Sequence, residues 1–389
     1  MKERFTEFVK EELLSERDID LEAYSYDASG IKIQPKLLIW PETIEGISHM
    51  MKYCTRINVP VYVRGKGTGV MGASVGEGVV VDCSRLNGLS KIDLKQQEVE
   101  LGAGTTLTQL NTLLHEHGLY FPCIPLLEHC TVGGLIATNP SYYGERYFGK
   151  LEKFVVSVTG VEGTGQFPDI KPEHVLGTEG TTAIMLKLRL KVTDLILQKS
   201  FTVKHFDQLP SALNYVSELK KKKDLIGAIL TTGIVSELAG SSSPFAVLAE
   251  FASENGEIID ITTRNIVEGR FKNLLHALSE RDYVLVEDCK VGLDKLYDLS
   301  TWCKEQNLPM FSFADLGVCF VKFTKKQQAL RDKFRIFVKF LNGEVGSCFG
   351  HGRLRKKFVS GYKSNKLFTL KERMDYNNIL GRGVVIDYK

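Results

Sequence analysis

Over residues 41–57 apolar side chains recur at helical spacing, and the short apolar run 59–63 follows at once, which predicts a helix feeding a buried strand. Further strand-like runs stand at 79–81, 99–101, 154–161 and 183–192, with an amphipathic helix at 107–117 closed by Gly118. This order predicts a mixed α+β layout rather than strict βαβ alternation. After about Asp194 glycines thin out and helices alternate with strands, with helical spacing over 209–222, 293–306 and 325–341. The expected domains are 1–194, 195–340, and a glycine-rich segment 341–389 that folds back on the first domain.

Between the strands predicted at 59–63 and 79–81 lies VYVRGKGTGVMGASV, residues 61–75. Gly67, Gly69 and Gly72 spell G-x-G-x-x-G, but a Rossmann fingerprint must open a helix and be followed about 20 residues later by an acid for the ribose. Here GEGVVVDCSRL follows, a turn and a second β-branched strand. A glycine loop in that setting exposes backbone N–H groups to an anion without needing a helix dipole.

Composition narrows the class. With 389 residues, 43% hydrophobic and 25% charged, the chain is long enough for two full cores, and a net charge of +3 argues against nucleic acid as a partner. The lysines at 220–223 read as a solvated helix end. No apolar run approaches the roughly 20 residues of a membrane span, and the charged opening MKERFTEFVKEELLSERD does not read as a signal peptide. A cytoplasmic location is therefore expected. The eight cysteines show no C-x-x-C spacing, against a zinc ribbon or an iron–sulfur cluster. His115 and His117 stand at i and i+2, on different sides of a helix, and make no metal pair.

Several ordered segments, over nearly the whole chain, resemble the FAD-linked dehydrogenases of the p-cresol methylhydroxylase/vanillyl-alcohol oxidase superfamily, and most closely their glycolate and D-lactate dehydrogenase branch. The resemblance rests on WPETIEGISHMMKYC, RGKGTGVMGASV, VVVDCSRLNGLSKID, GLYFPCIPLLEHCTVGGLIATN, YFGKLEKFVVSVTGVEG and LGTEGTTAIMLKLRL. It implies a two-subdomain FAD-binding domain, an α+β cap domain and a C-terminal segment returning to the FAD domain. It further implies FAD as cofactor and a small 2-hydroxy acid or related molecule as substrate, oxidised by hydride transfer. Lys66 stands where relatives with covalent flavin have histidine, so non-covalent FAD is expected. The cofactor-binding residues implied are Arg64, Gly65, Lys66, Gly67, Thr68, Gly69, Gly72, Pro125, Thr131, Gly133, Gly134, Ala137, Thr138, Asn139, Val155 and Ile184. Within them, the 65–69 amides and the Thr68 hydroxyl are expected on the pyrophosphate, and the small residues of Thr131-Val132-Gly133-Gly134 admit a close backbone approach.

The chain departs from that branch late on. Its H-x-G-D-G-N-x-H motif aligns with 313–320, where Phe313 and Phe320 replace both histidines, and its G-E-H-G turn reads Ser347-Cys348-Phe349-Gly350. Phenylalanine neither ligates a metal nor moves a proton, so no metal is expected. His351 lies two positions past the lost histidine and is a candidate for proton transfer, while Arg270 and Arg353 are candidates for a carboxylate clamp. His129 falls inside a flavin segment, where packing is the first expectation. Asn139-Pro140-Ser141-Tyr142-Tyr143 stands where relatives have alanine and two glycines. Two functions remain open: an FAD-dependent dehydrogenase, or a non-catalytic FAD-bearing companion subunit serving assembly or electron transfer beside a second dehydrogenase or iron–sulfur chain.

Overall fold

The computed structural model describes residues 2–126, 129–254, 256–258, 263, 265, 269, 271 and 273–388. The first predicted helix spans Ile44–Arg56; the Thr43 hydroxyl accepts from the Gly46 N–H and caps it. Ile47, Met50, Met51 and Cys54 form its buried stripe, at i, i+3, i+4 and i+7. Strands β1 (Leu14–Ser15), β2 (Leu37–Ile39), β3 (Val61–Arg64) and β4 (Val79–Asp82) pair in the order β1-β2-β4-β3. β4 runs parallel to both of its neighbours and is buried along its length, as a strand covered on two faces must be apolar. The glycine loop joins the adjacent parallel strands β3 and β4 without a helix, the strand-to-strand setting expected of it.

A second sheet is antiparallel, built from β5 (Leu89–Asp93) and β6 (Glu98–Gly102) and, beyond the short β7 (Leu119–Tyr120), from β8 (Val155–Glu162) and β9 (Ala183–Lys191). Its order is β5-β6-β9-β8, and β7 pairs separately with β10 (Thr193–Asp194). The second helix, Leu107–His115, starts in a Thr106/Gln109 capping box. It ends two residues short of the predicted limit, so His117 lies beyond it; His115 and His117 are both exposed.

One apolar cluster joins the first helix, β2, β3 and β4 to Val161, Ile184, Ile379 and Leu380. The last two come from the C-terminal segment, which docks by backbone pairing: the Val61 N–H donates to the Ile379 carbonyl and the Gly381 N–H to the Val61 carbonyl, each at 2.8 Å. Met1–Pro140, Leu151–Leu195 and Phe349–Lys389 therefore make one compact unit, and the tail returns to the flavin domain as the resemblance implies.

The other unit comprises Ser141–Lys150 and Ile196–Cys348. Its antiparallel sheet contains β11 (Ser200–Phe206), β12 (Leu225–Thr232), β13 (Phe245–Phe251), β14 (Leu285–Lys290), β15 (Met310–Phe313), β16 (Val318–Phe323) and β17 (Glu344–Val345). They are ordered β11-β13-β12-β15-β16-β14-β17. The helices expected at 209–222, 293–306 and 325–341 form at Leu209–Leu219, Leu296–Glu305 and Gln328–Phe340, the last two each preceded by a short 3-10 turn. Glu287 on β14 is completely buried and takes both Arg331 and Arg335 from the last of these, with guanidinium-to-Oε1 contacts of 2.6 Å from each. The segment 141–150 joins this unit through the Tyr143 hydroxyl, which donates to the Gly227 carbonyl at 3.1 Å. Among the described residues no helix is long and apolar enough to cross a membrane.

Truncating Glu287 would take the shared carboxylate from two buried guanidinium groups, which keep Gln328 and Asp332 as neighbours; removing one partner of a buried ion network costs about 3–5 kcal/mol. Glu287→Ala is expected to lower stability by that amount in equilibrium urea unfolding followed by circular dichroism. A loss below about 1 kcal/mol would show that the arginines reach water instead.

Candidate functional site

At the end of β3, Arg64 folds back so that its guanidinium donates to the Tyr26 carbonyl at 2.6 Å and lies over the Tyr24 ring. Gly67, at φ +67°, turns directly above it; a Cβ there would fall 2.3 Å from the guanidinium. Gly65 packs instead on Thr131, whose hydroxyl oxygen would lie 2.3 Å from an added Cβ. Gly69 differs from both, since a Cβ there meets nothing within 4 Å. The backbone N–H groups of Gly65, Lys66, Gly67, Thr68 and Gly69 find no acceptor among the described residues. Consecutive half-buried or exposed donors beside open space form a cradle suited to an anion such as a pyrophosphate.

Thr131 links this loop to the second glycine pair. It caps a short helix, Val132–Thr138, by accepting from the Gly134 N–H at 3.2 Å, and the Thr138 hydroxyl donates to the Gly134 carbonyl. Gly133 packs on the Ala103 carbonyl, 2.9 Å from where its Cβ would stand, so that glycine serves contact between helix and strand, while Gly134 is exposed. Ala137 accepts from the Glu179 N–H at 2.8 Å, and Asn139 ends the helix in the left-handed region at φ +50°. Pro125 is half-buried. Val155 and Ile184 have side chains in the interior, at 6% and 0% exposure, which leaves only their backbone to face a ligand. His129 is exposed.

The tail crosses the exit of the glycine loop. The Arg353 N–H donates to the Met71 carbonyl at 2.8 Å, and its guanidinium donates to the Val75 carbonyl and covers the Tyr62 ring. Arg353 is thereby engaged in fastening the tail to the loop. Arg270 lies outside the described residues. His351 is 2% exposed and stands in a cluster that the sequence did not single out, with Glu179 and Lys363. The Glu179 carboxylate accepts from the backbone N–H groups of His351 and Gly352, at 2.9 and 2.7 Å, and from the Lys363 ammonium at 3.1 Å. Lys363 also meets His351 Nδ1 at 3.2 Å. Gly350, at φ +74°, admits the carboxylate, because a Cβ there would lie 2.8 Å from it. Burial pushes the Glu179 carboxyl up, but the Lys363 ammonium and the His351 contacts outweigh it and hold it at about 2. Glu179 lies inside the recognised segment LGTEGTT; Lys363 carries no signal in the sequence.

In the other unit, the positions where relatives carry histidines are hydrocarbon. Phe313 and Phe320 meet edge-on at 5.0 Å, Phe311 stacks on Phe320, and Tyr143 meets Phe313. Among the described residues no three His, Cys, Asp or Glu side chains are grouped to hold a metal ion. Beside Phe313, Asp315 accepts from the Ala228 N–H through Oδ1 while its buried Oδ2 has no partner among the described residues, and burial pushes its carboxyl up to about 6.

Glu179 supplies a pH signature. Its pKa is lower folded than unfolded, so its stabilisation is complete above about pH 4.5 and is lost as pH falls toward 2. The shift corresponds to about 3 kcal/mol. In urea unfolding between pH 6 and 3, Glu179→Gln is expected to be less stable than the wild type at pH 6, with the difference shrinking as pH drops. A constant difference would remove the charge from the explanation.

A family model described as an FAD binding domain matches residues 35–170, the stretch that contains the loop and the Thr131 helix. Over 220 residues the chain is 29% identical to a D-lactate dehydrogenase of Archaeoglobus fulgidus, covering 52% of this chain and 49% of that protein. Over 151 residues it is 32% identical to a D-2-hydroxyglutarate dehydrogenase of Haemophilus influenzae, covering 37% of this chain and 14% of that one. The matches thus span about half or less of these relatives' length. Among solved structures, alkyldihydroxyacetonephosphate synthase shares the fold with a TM-score of 0.71 at 16% identity, over 97% of this chain and 85% of that chain. The acceptor-free cradle and these matches agree: residues 35–170 are an FAD binding domain, the chain is similar to FAD-linked dehydrogenases, and the cofactor of its first unit is FAD.

Proposed function

We propose that this protein is an FAD-dependent oxidoreductase acting on a small 2-hydroxy acid or a closely related alcohol, with FAD held non-covalently. The observation that carries the reading is the run of unpaired amides from Gly65 to Gly69 beside the open face of Gly69. The names of the D-lactate and D-2-hydroxyglutarate dehydrogenases that it resembles support the substrate class.

When bound, FAD supplies the two-electron acceptor for such an oxidation. The chain's own contribution is to bind and orient it. The loop amides and the Thr68 hydroxyl would hold the pyrophosphate by hydrogen bonds, Thr131 holds the loop against the second segment, and the Arg353 contacts keep the tail over the loop exit. Lys66 has no route to a flavin C8-methyl linkage of the kind histidine forms, which supports a releasable cofactor.

The second reading is a companion subunit that carries FAD without turning over substrate. It is favoured by one observation, the aromatic packing of Phe313 and Phe320 at the positions of ligating histidines.

Two measurements test these readings. Gly69→Val adds bulk where the protein itself has room, so it is expected to keep the wild-type unfolding midpoint while weakening FAD binding at least tenfold, about 1.4 kcal/mol, in a calorimetric titration. Unchanged affinity would take Gly69 out of the cradle. For the activity, anaerobic addition of D-lactate, glycolate or D-2-hydroxyglutarate to the yellow protein is expected to bleach the flavin spectrum. A yellow protein that none of them reduces, copurifying with a second dehydrogenase chain, supports the companion reading. A protein that takes up no FAD would sink both.

A further inference from the structure

We propose that the outward face of the helix Gln328–Phe340, in the second unit, docks on an anionic lipid surface. Ile336 and Phe340 enter the boundary between headgroups and acyl chains, and the lysines around them meet the headgroups.

The pattern of this helix is inverted. Its inward face carries Arg331, Phe334, Arg335 and Val338, all buried, and both arginines are spent on Glu287. The outward face of a helix that seals a core on its other side is ordinarily polar. Here Ile336 is 64% exposed and Phe340 78%, one turn apart on the same side. Arginines lie inside and large apolar side chains outside. A ladder of rings leads to that surface: Trp302 stacks on Phe337 at 5.3 Å between centroids, and Phe337 on Phe340 at 6.2 Å. Trp302 and Phe337 are half-buried, so Phe340 stands on a supported ring.

Charge indicates what covers the face. Lys333 and Lys339 each lie three residues from Ile336, on the outward side, and Lys325 and Lys326 stand in the turn that leads into the helix; all four are exposed. None of the four has a carboxylate within ion-pair distance among the described residues, whereas Asp332, the one acid of the helix, is turned to Arg335 at 3.0 Å. Apolar protrusions ringed by unspent cations match an anionic bilayer, whose acyl boundary takes aromatic and aliphatic groups while its headgroups take lysines. A second copy of this chain fits less well. Its lysines would face these lysines, and a stable protein interface needs about 800 Å² on each side, more than a few protruding side chains supply.

The test is sedimentation of the full chain with vesicles of equimolar phosphatidylglycerol and phosphatidylcholine, beside vesicles of phosphatidylcholine alone. Binding is expected only to the first, and is expected to weaken as salt rises from about 0.1 to about 0.5 M, which shortens the screening length. Ile336→Ser with Phe340→Ser, and separately Lys333→Gln with Lys339→Gln, are each expected to lower the partition coefficient at least tenfold at an unchanged unfolding midpoint, since all four side chains are exposed. Lys91→Gln with Lys95→Gln, which removes the same charge from exposed positions in the first unit, is expected to bind as the wild type does. Should the apolar pair fail to fold, the two lysine pairs carry the test. A wild type that sediments with neither vesicle, equal binding to both vesicles, wild-type binding by the Lys333/Lys339 variant, or an equal loss in the Lys91/Lys95 variant would each overturn the proposal. A wild-type dimer in analytical ultracentrifugation that the Ile336/Phe340 variant converts to monomer would overturn it too, and assign the face to contact between copies.

Discussion

The Glu179 carboxylate closes the flavin unit. Three donors from the C-terminal segment converge on it: the amides of His351 and Gly352 and the ammonium of Lys363. A lone buried carboxylate would be expelled or neutralised, but one surrounded by a cation and oriented N–H groups stays ionised. Its backbone accepts the cost of a left-handed conformation, φ +53°, for a residue other than glycine. Gly350 completes the arrangement by having no Cβ to collide with it. This charge is one of several ties that fasten the tail, beside the Arg353 contacts with Met71 and Val75.

The glycine loop shows how one motif divides its labour. Gly67 is required by a left-handed turn over Arg64 and Gly65 by contact with Thr131, so both build the loop rather than touch what it holds. Gly69 has neither constraint, and it lies in the run of amides that have no acceptor among the described residues. Because β3 and β4 are adjacent and parallel, a connection without a helix must be long and irregular, and its amides are left without secondary-structure partners. The anion site is a by-product of that topology.

The helices and strands were legible because their periodicity is strong: the stripe of Ile44–Arg56 and the apolar run 79–81 of β4 leave little choice. The flavin segments were legible through motifs whose glycines and threonines have steric work to do. The Thr131 segment hid a helix, since TVGGLIAT carries two glycines that lower helix propensity and only the Thr131 cap and the packing of Gly133 on Ala103 compensate. The Glu179–Lys363 pair was illegible for a different reason. Its members are 184 residues apart, and Lys363 in sequence is one more lysine in a basic helix. His351 was visible as a candidate, but not its burial against Glu179 and Lys363.

The phenylalanines of the second unit pack as one aromatic cluster. Phe313 touches Phe320, Phe320 touches Phe311, and Tyr143 touches Phe313, each pair within 5.5 Å between ring centres. Such pairs contribute about 0.5–1.5 kcal/mol each beyond the area they bury. Restoring one histidine alone would place an imidazole among aromatic rings and would lose ring contacts at the same time. The rings of Phe313 and Phe320 themselves offer no hydrogen-bonding group. The Ser312 hydroxyl and Asp315 Oδ2, both close to Phe313 in sequence, are buried polar atoms without a partner among the described residues.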